Sequence, residues 1–290
     1  MKIGFYIREM NYRGISNSIF DFAYYNNKFL NNDSYIFFNS YAHDNKKEVI
    51  KKFKKNFKVF GIKDFSEIKK INNYTKLDYI YFQRSGYREE IICGVKNIIH
   101  AVFPNNIWQY HGHQYAYISS WLSKTCSNNK ISFVPLIVSM PKSNANIRDD
   151  LNIPRNAIVF GYHGGEGSFD LIFVHHAIKR ILELNDKIFF IFMNVNKFIS
   201  HKKVIFLKGS FDKINKVKFI NSCDAMIHAR SLGESFGLSC AEFAIKNKPV
   251  FTYAYCQQRA HFDICKGKII PYYSYYDFID KIIKFKKKKI

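Results

Sequence analysis

The sequence has little of what marks membrane-spanning, secreted or disordered chains. Among its 290 residues, no apolar run approaches the roughly 20 residues that a membrane helix needs. Residues 1–10 are too short and too interrupted by charge for a signal peptide. Only 6 prolines are present and 47% of the residues are hydrophobic, so the chain can bury enough apolar surface to order itself. We therefore expect a folded protein that stays in the cytoplasm.

Paired cysteines are also lacking. None of the six cysteines forms a C-x-x-C pair, and they lie among hydrophobic or strand-like residues, as reduced thiols do. Cys256, His261 and Cys265 have a C-x(4)-H-x(3)-C spacing, but a structural zinc site needs four ligands and no fourth lies near them in sequence. We expect neither a disulfide scaffold nor a bound metal.

Acidic residues are few beside basic ones: 23 Asp and Glu against 45 Lys and Arg, a formal charge of +22. This charge favours phosphates, nucleic acid or anionic membranes as partners, although codon bias towards Lys, Asn and Ile explains it equally well. The most concentrated lysines lie in residues 281–290. Because each lysine near an anionic membrane adds about 1 kcal/mol of attraction, peripheral membrane contact is an alternative to a merely solvated chain end.

Short β-rich segments alternate with helix-like segments in the first half of the chain. Strands are predicted at residues 2–7, 35–38, 57–60, 78–82, 97–103, 115–119 and 132–138. Helices fit at residues 16–25, 46–55 and 88–94. This βαβ order is typical of a parallel sheet covered by helices, so we expect a doubly wound domain over residues 1–140.

A second series of the same kind follows a polar stretch. Residues 139–152 include Pro141 among Ser, Asn and Lys, a composition typical of an exposed linker. Strands are then predicted at residues 157–162, 187–194, 203–208, 225–229, 249–253 and 269–273. We expect a second α/β domain of similar size over residues 153–290.

Residues 224–251 carry the most informative pattern: strand, loop, helix, turn and strand. Glu234 is predicted at the mouth of the helix and Glu242 two turns inside, about 12 Å further along the axis. That span fits a nucleotide sugar whose diphosphate lies against the N–H groups of residues 236–238. An ordinary amphipathic helix with two solvated glutamates is the alternative.

The whole constellation resembles the E-x(7)-E signature of family 4 glycosyltransferases of the GT-B fold. The matching residues run R-S-L-G-E-S-F-G-L-S-C-A-E from Arg230 to Glu242, followed by K-P-V. Further blocks, such as H-A-V-F from His100 and Y-A-Y-I-S-S-W-L from Tyr115, are similar to family 4-like glycosyltransferases of large DNA viruses and some bacteria. The resemblance implies two Rossmann-like domains facing each other across a cleft.

The resemblance also implies roles for single residues. Glu234 is expected to contact the transferred sugar and Glu242 the ribose of the nucleotide. The donor-binding residues predicted around this helix are Arg230, Ser235, Phe236, Gly237, Leu238 and Glu242. Retention at the anomeric carbon is implied, with neither metal nor cofactor, since backbone amides and basic side chains stabilise the departing nucleoside diphosphate in GT-B enzymes.

A glycine-rich stretch, G-Y-H-G-G-E-G, follows the first predicted strand of the second domain. The backbone at Gly164 and Gly165 is predicted to bind phosphate, and a plain tight turn is the alternative. Typical family members carry an Arg and a later Lys on this loop, whereas this chain has Tyr162 at the Arg position. Unless Arg230 or a lysine compensates, leaving-group stabilisation is lost, so a catalytically weak or inactive GT-B module is a further alternative.

Three residues of the first domain complete the predicted site. Arg13 and Gly14 are predicted to bind the donor, because they lie in the first βα loop, where a small residue allows a sugar or phosphate to approach the backbone. His100 lies late in its strand and, by the resemblance, faces the donor sugar as a catalytic residue. A plain turn and a core histidine are the respective alternatives.

We therefore expect a glycosyltransferase acting on a nucleotide-sugar donor and an acceptor glycan, lipid or protein. The rival from another class is a basic nucleic-acid-binding protein, suggested by the charge and the 49 Phe and Tyr residues (29 plus 20). No RRM, KH or zinc-finger signature supports that alternative.

Overall fold

The computed structural model describes residues 1–287, and the chain divides into two compact units. Unit 1 is Met1–Ile137 and unit 2 is Val138–Ile290. No helix within the described residues is both long and apolar enough to cross a membrane. Part of the lysine-rich segment, residues 288–290, lies outside the described residues, and the membrane contact assigned to that segment stays a prediction.

Unit 1 alternates strands with helices. Its strands are short apolar runs such as Y-I-F-F in residues 35–38, all buried. Side chains that satisfy free backbone groups set helix ends, as where Asp64 accepts the N–H of Ser66 at a helix start. The elements are β1 (Lys2–Ile7), α1 (Gly14–Leu30), β2 (Asp33–Asn39), α2 (Lys47–Asn56), β3 (Lys58–Ile62), α3 (Phe65–Thr75), β4 (Tyr79–Arg84), β5 (Lys96–Ala101), a 3₁₀ turn (Ile107–Gln109), β6 (Gln114–Tyr117) and α4 (Ser120–Ser127).

The six strands of unit 1 form one parallel sheet in the order β3-β2-β1-β4-β5-β6. The chain moves outwards from β1 to β3, returns to pair β4 with β1, and then moves outwards the other way. The strand order therefore reverses between β1 and β4. In open parallel sheets, ligands bind at the carboxyl ends of the strands beside such a reversal.

Unit 2 repeats the alternation. Buried apolar runs such as F-I-F in residues 190–192 form its central strands. The elements are β7 (Ile158–His163), α5 (Ile172–Leu184), β8 (Ile188–Met193), β9 (Val204–Leu207), α6 (Lys213–Ser222), β10 (Ala225–His228), β11 (Gly233–Glu234), α7 (Leu238–Ile245), β12 (Val250–Tyr253), β13 (Gln258–Arg259), α8 (Ala260–Ile264), β14 (Ile269–Tyr272) and α9 (Tyr275–Lys284).

The main sheet of unit 2 is parallel, in the order β14-β12-β10-β7-β8-β9. Counted along the chain, this is the same topology as in unit 1, with the reversal between β7 and β10. Both units thus have the Rossmann strand order. The two-residue strands β11 and β13 pair separately, in parallel.

Two predicted elements of unit 1 are wrong. Residues 88–94 form no helix, because side chains take the backbone groups that a helix would use: Arg84 donates to the carbonyl of Glu90, and the Asn97 amide bonds both the N–H and the carbonyl of Ile92. Residues 132–138 contribute only an isolated bridge between Phe133 and Tyr117 instead of a strand.

The predicted linker, residues 139–152, contains neither helix nor strand. The segment lies within unit 2, and its second half is bonded to the residues just before β10. Arg148 pairs with Asp224 at 2.9 Å and donates to the carbonyl of Ser222, while the N–H of Ile147 donates to the Ser222 hydroxyl. These bonds hold the segment against the start of β10.

Candidate functional site

Two histidines lie at the strand reversal of unit 2. His163 is the last residue of β7 and His228 the last residue of β10, and these two strands are direct neighbours in the sheet. Both side chains are buried. They occupy the carboxyl edge where a parallel sheet of this topology binds its ligands.

Glu234 is held by the carboxyl end of β10. Its Oε1 accepts from His228 Nε2 at 3.2 Å and from Arg230 Nη1 at 3.1 Å. Both of these hydrogen bonds fall on Oε1, and the side chain keeps 16% of its surface exposed. Glu234 thus has one oxygen fixed by protein and one oxygen available to a ligand.

The environment of Glu234 keeps it ionised. Burial by itself would raise the pKa of this carboxyl group, but the hydrogen bond from His228 and the positive charge of Arg230 outweigh burial and lower the pKa to about 2. A carboxylate at neutral pH can accept hydrogen bonds from sugar hydroxyls and can stabilise positive charge that develops nearby.

Behind His228, a row of buried polar side chains crosses the sheet. His228 Nδ1 lies 2.9 Å from Thr252 Oγ1 on β12, and the same hydroxyl lies 2.9 Å from His261 Nε2 on α8. The three side chains are fully buried. The row therefore connects Glu234, at the surface, to the interior of unit 2.

Glu242 lies on α7 and reaches the end of β7. Its Oε2 is 3.0 Å from His163 Nε2, outside hydrogen-bond alignment, and its Oε1 is 4.0 Å from Lys216 Nζ. The residue is 3% exposed. Burial alone would raise its pKa, but the charge of Lys216 and the neighbouring His163 lower it to about 2. A carboxylate has about four acceptor positions, so these contacts leave capacity for hydroxyl donors.

The turn before α7 corrects one part of the sequence interpretation. The helix begins only at Leu238, because Gly237 has a φ of 89°, a left-handed conformation that glycine adopts readily. Glu234 belongs to β11, so the 12 Å separation along a single helix axis does not apply. Ser235 and Phe236 are buried in the turn, and the first N–H groups of α7 point out of its start.

Tyr162 supports the glycine-rich loop through a hydrogen-bonded side chain. This buried tyrosine places its hydroxyl 2.8 Å from Ser168 Oγ, which in turn donates to the carbonyl of Gly165. Gly164 lies so close that a Cβ there would come within 2.5 Å of the Tyr162 hydroxyl. At the position where the family pattern has an arginine, the chain thus has a neutral support for the loop.

The predicted residues of unit 1 are placed differently from one another. Arg13 and Gly14 are exposed at the start of α1, where the N–H of Arg13 donates to Asn11. His100 is 2% exposed, and both ring nitrogens are bonded: Nδ1 to the Tyr81 hydroxyl at 2.6 Å and Nε2 to the carbonyl of Val134 at 2.8 Å. This geometry favours the core-histidine alternative.

Sequence reasoning missed several residues of this site. His163 stood in a quoted motif without a role, and His228, Thr252 and Lys216 were not singled out. His261 was considered only for zinc, yet its Nε2 bonds Thr252, and no group of three or more His, Cys, Asp or Glu able to hold a metal occurs in residues 1–287. A histidine at or next to the end of each of two predicted strands, residues 157–162 and 225–229, was the signal available in the sequence.

Solved structures with this architecture are found, although no family model and no curated protein matches the chain. HepE (Alr3699) from Anabaena, solved with UDP-glucose, has a TM-score of 0.69 at 14% identity, covering 98% of this chain and 90% of that one. A glycosyltransferase from Rickettsia africae ESF-5 has a TM-score of 0.67 at 13% identity, covering 97% and 87%. A putative UDP-N-acetylglucosamine 2-epimerase from Listeria monocytogenes has a TM-score of 0.62 at 10% identity, covering 97% and 86%. The predicted fold is confirmed: the chain has the GT-B fold, with one Rossmann-like domain in each unit.

Proposed function

We propose that this protein is a glycosyltransferase that moves a sugar from a nucleotide-sugar donor to an acceptor hydroxyl, with the donor bound by unit 2. The main observation behind this proposal concerns the two strands that flank the reversal of the sheet. Glu234 contacts one of them through His228, and Glu242 contacts the other through His163. Two ionised carboxylates at this edge suit a ligand with separate groups of hydroxyls.

In this proposal each carboxylate serves one end of the donor. Glu234, through its available Oε2, contacts the hydroxyls of the transferred sugar, and Glu242 contacts the ribose. The backbone of residues 235–238, where α7 begins, meets the diphosphate, because the first N–H groups of a helix have no partner within it. The backbone at Gly164 and Gly165 supplies a second stretch near the phosphates.

Charge on the leaving diphosphate is met without a metal in this proposal. Arg230, with 27% of its side chain exposed, is the cation next to Glu234, and Lys216 is next to Glu242. Retention of anomeric configuration and membership of family 4 are proposed on the sequence resemblance. Because Tyr162 is neutral, an inactive sugar-binding module is the alternative that activity measurements must test.

The acceptor side is proposed for unit 1. Arg13 and Gly14, which the sequence predicts as donor-binding residues, are exposed at the start of α1. A direct contact between His100 and the donor sugar stays a prediction that requires one of its two hydrogen bonds to break. The proposed acceptor is a glycan, a lipid or another protein. The glycosyltransferase is proposed to work in the cytoplasm with a peripheral membrane contact. Nucleic acid is not an expected partner.

Calorimetric unfolding with UDP-, GDP- and ADP-sugars tests the proposal. UDP-sugars come first because HepE was solved with UDP-glucose. A donor at 100 times its dissociation constant should stabilise the protein by about 2.7 kcal/mol. Glu242→Gln should weaken binding of the free nucleoside diphosphate, since an amide is a poorer acceptor for ribose hydroxyls than a carboxylate.

The outcomes separate the alternatives. Stabilisation by a nucleotide sugar together with transfer to an acceptor supports the proposal. Binding without transfer indicates the inactive module, and conversion of UDP-N-acetylglucosamine without an acceptor indicates an epimerase. Failure of all three donor classes to bind would contradict the proposal.

A further inference from the structure

The row of side chains behind Glu234 has a definite hydrogen-bond direction. A carboxylate only accepts, so His228 Nε2, 3.2 Å from Glu234 Oε1, carries a proton and donates it. In neutral His228 the other nitrogen, Nδ1, is an acceptor. The Thr252 hydroxyl then donates to Nδ1, and the same oxygen accepts from Nε2–H of His261. Each bond fixes the direction of the next.

The far end of the row favours this direction over its reverse. His261 Nδ1 is buried and has no hydrogen-bond partner within the described residues. In the direction just derived, this nitrogen is unprotonated and its lone pair accepts no hydrogen bond within the described residues. If His228 were protonated on both nitrogens, the Thr252 hydroxyl would have to turn and donate to His261, whose Nδ1 would then carry an unpaired buried N–H, which is the costlier state.

Three side chains contact His228 besides Thr252. Glu234 contacts it from the loop after β10, and the rings of Tyr162 and His261 lie against it from β7 and α8. The negative charge of Glu234 is already paired with Arg230 at 3.1 Å. Burial lowers the pKa of His261 to about 2, so that imidazole adds no charge to the row.

We propose that Thr252 and His261 are positioning residues. They hold His228 as a neutral Nε2–H donor, and this donor keeps the Glu234 carboxylate in position and negatively charged. The inference rests on the proposed function. A neutral donor orients Oε1 without adding a second cation, so Glu234 keeps its capacity to stabilise positive charge that develops on the transferred sugar. Neither Thr252 nor His261 touches the donor in this arrangement, because both are fully buried.

Thr252→Val tests the row, with Thr252→Ser as the matched control. Valine keeps the shape of threonine but cannot donate to His228 Nδ1, whereas serine keeps the hydroxyl. Long-range ¹H–¹⁵N NMR of the imidazole rings, assigned with His228→Phe, reports the tautomer directly. In the wild type at pH 7.5 the His228 proton is expected on Nε2, with Nδ1 unprotonated.

Kinetics give the second readout. In Thr252→Val we expect kcat to fall roughly 10- to 100-fold, the range observed when the second partner of an oriented histidine is removed in metal sites. The Kd for free nucleoside diphosphate should change less than twofold. Thr252→Ser should keep both the tautomer and a kcat within about threefold of the wild type. Thr252→Ala replaces the valine variant if that variant does not fold.

Three results would overturn the inference. The first is a wild-type His228 that is doubly protonated or carries its proton on Nδ1. The second is an unchanged kcat in Thr252→Val, and the third is an equal loss in Thr252→Val and Thr252→Ser. If the wild type binds no nucleotide sugar, the proposed function fails instead, and the NMR result alone then decides whether the row holds this tautomer.

Discussion

His100 in unit 1 and His228 in unit 2 are both buried histidines near the carboxyl ends of parallel strands, yet their surroundings differ. The two nitrogens of His100 are bonded to Tyr81 and Val134, which are interior groups. His228 is bonded on one side to Thr252 and on the other to a partly exposed carboxylate. One hydrogen-bond system ends within the protein and the other ends at its surface.

This difference teaches that burial and strand position alone do not identify a functional histidine. Both residues would be selected by a search for buried titratable groups at the ligand-binding edge of a sheet. What distinguishes them is whether the hydrogen-bonded partners end on a charged and partly exposed group. Glu234 is such a group, whereas the partners of His100 lead through Tyr81 to Gln83, a neutral and buried side chain.

The largest expected effect comes from removing the charge of Glu234. Glu234→Gln should lower the rate of transfer by roughly 10²- to 10³-fold, the usual loss when a charge-stabilising group at a reacting centre is removed. The affinity for free nucleoside diphosphate should stay within about twofold, because that part of the donor lies elsewhere. Steady-state rates and titration calorimetry measure the two quantities.

Glu183→Gln is the matched control for that substitution. Glu183 is 63% exposed on α5 and pairs with Arg180 on the same helix, so its loss should alter neither rate nor affinity. A Glu234→Gln variant that loses nucleotide binding while remaining folded would reverse the proposed orientation of the donor. Full transfer activity would remove Glu234 from the site.

The second prediction concerns the pH dependence of unit 1. Burial lowers the pKa of His100 to about 4, against 6.5 for an unperturbed histidine. The unfolded chain therefore binds a proton at pH values where the folded protein does not, so this contribution to stability is complete above pH 6.5 and is lost as pH falls towards 4. The difference corresponds to roughly 3 kcal/mol.

His100→Gln should remove that part of the pH dependence. Both tryptophans, Trp108 and Trp121, lie in unit 1, so their fluorescence during urea unfolding reports this unit specifically. Between pH 7.5 and pH 4.5 the wild type should lose clearly more stability than the variant, whose transfer rate should change little. A loss of transfer at unchanged stability would instead support a contact between His100 and the donor.

The smallest predicted effect distinguishes two glycines of unit 2. Gly237→Ala should cost about 1–3 kcal/mol, because a side chain is strained at a φ of 89° and the new Cβ would lie 2.8 Å from the Cβ of His261. Gly165→Ala, where a Cβ meets no atom within 4 Å, should change the free energy of unfolding by less than about 0.5 kcal/mol. Calorimetry of both variants measures the difference, and equal values would contradict the strain at Gly237.

The sequence allowed the fold to be predicted because strand and helix periodicities are local properties. Both six-stranded sheets consist of apolar runs separated by amphipathic helices, and such an order permits few topologies. The helix expected at residues 88–94 was wrong because Arg84 and Asn97 bind its backbone groups, and these contacts depend on tertiary structure. Local propensity carries no information about them.

The candidate site could be predicted only in part for the same reason. Glu234 and Glu242 belong to one recognisable pattern, so they were found. His228 and Thr252 are 24 residues apart and meet because β10 and β12 are neighbours in the sheet, while His261 joins them from a short helix. Pairs of this kind follow from the order of the strands in the sheet, which a single sequence does not reveal.

Tyr162 has a thermodynamic consequence for ligand binding. Its hydroxyl, with Ser168, holds the glycine-rich loop in place through hydrogen bonds within the protein. Glycines lose the most backbone entropy on being ordered, and in this loop that loss falls on folding instead of on association. Where an arginine would attract phosphate by charge, this chain offers a preorganised backbone, so the affinity of the loop for an anion should depend only weakly on ionic strength.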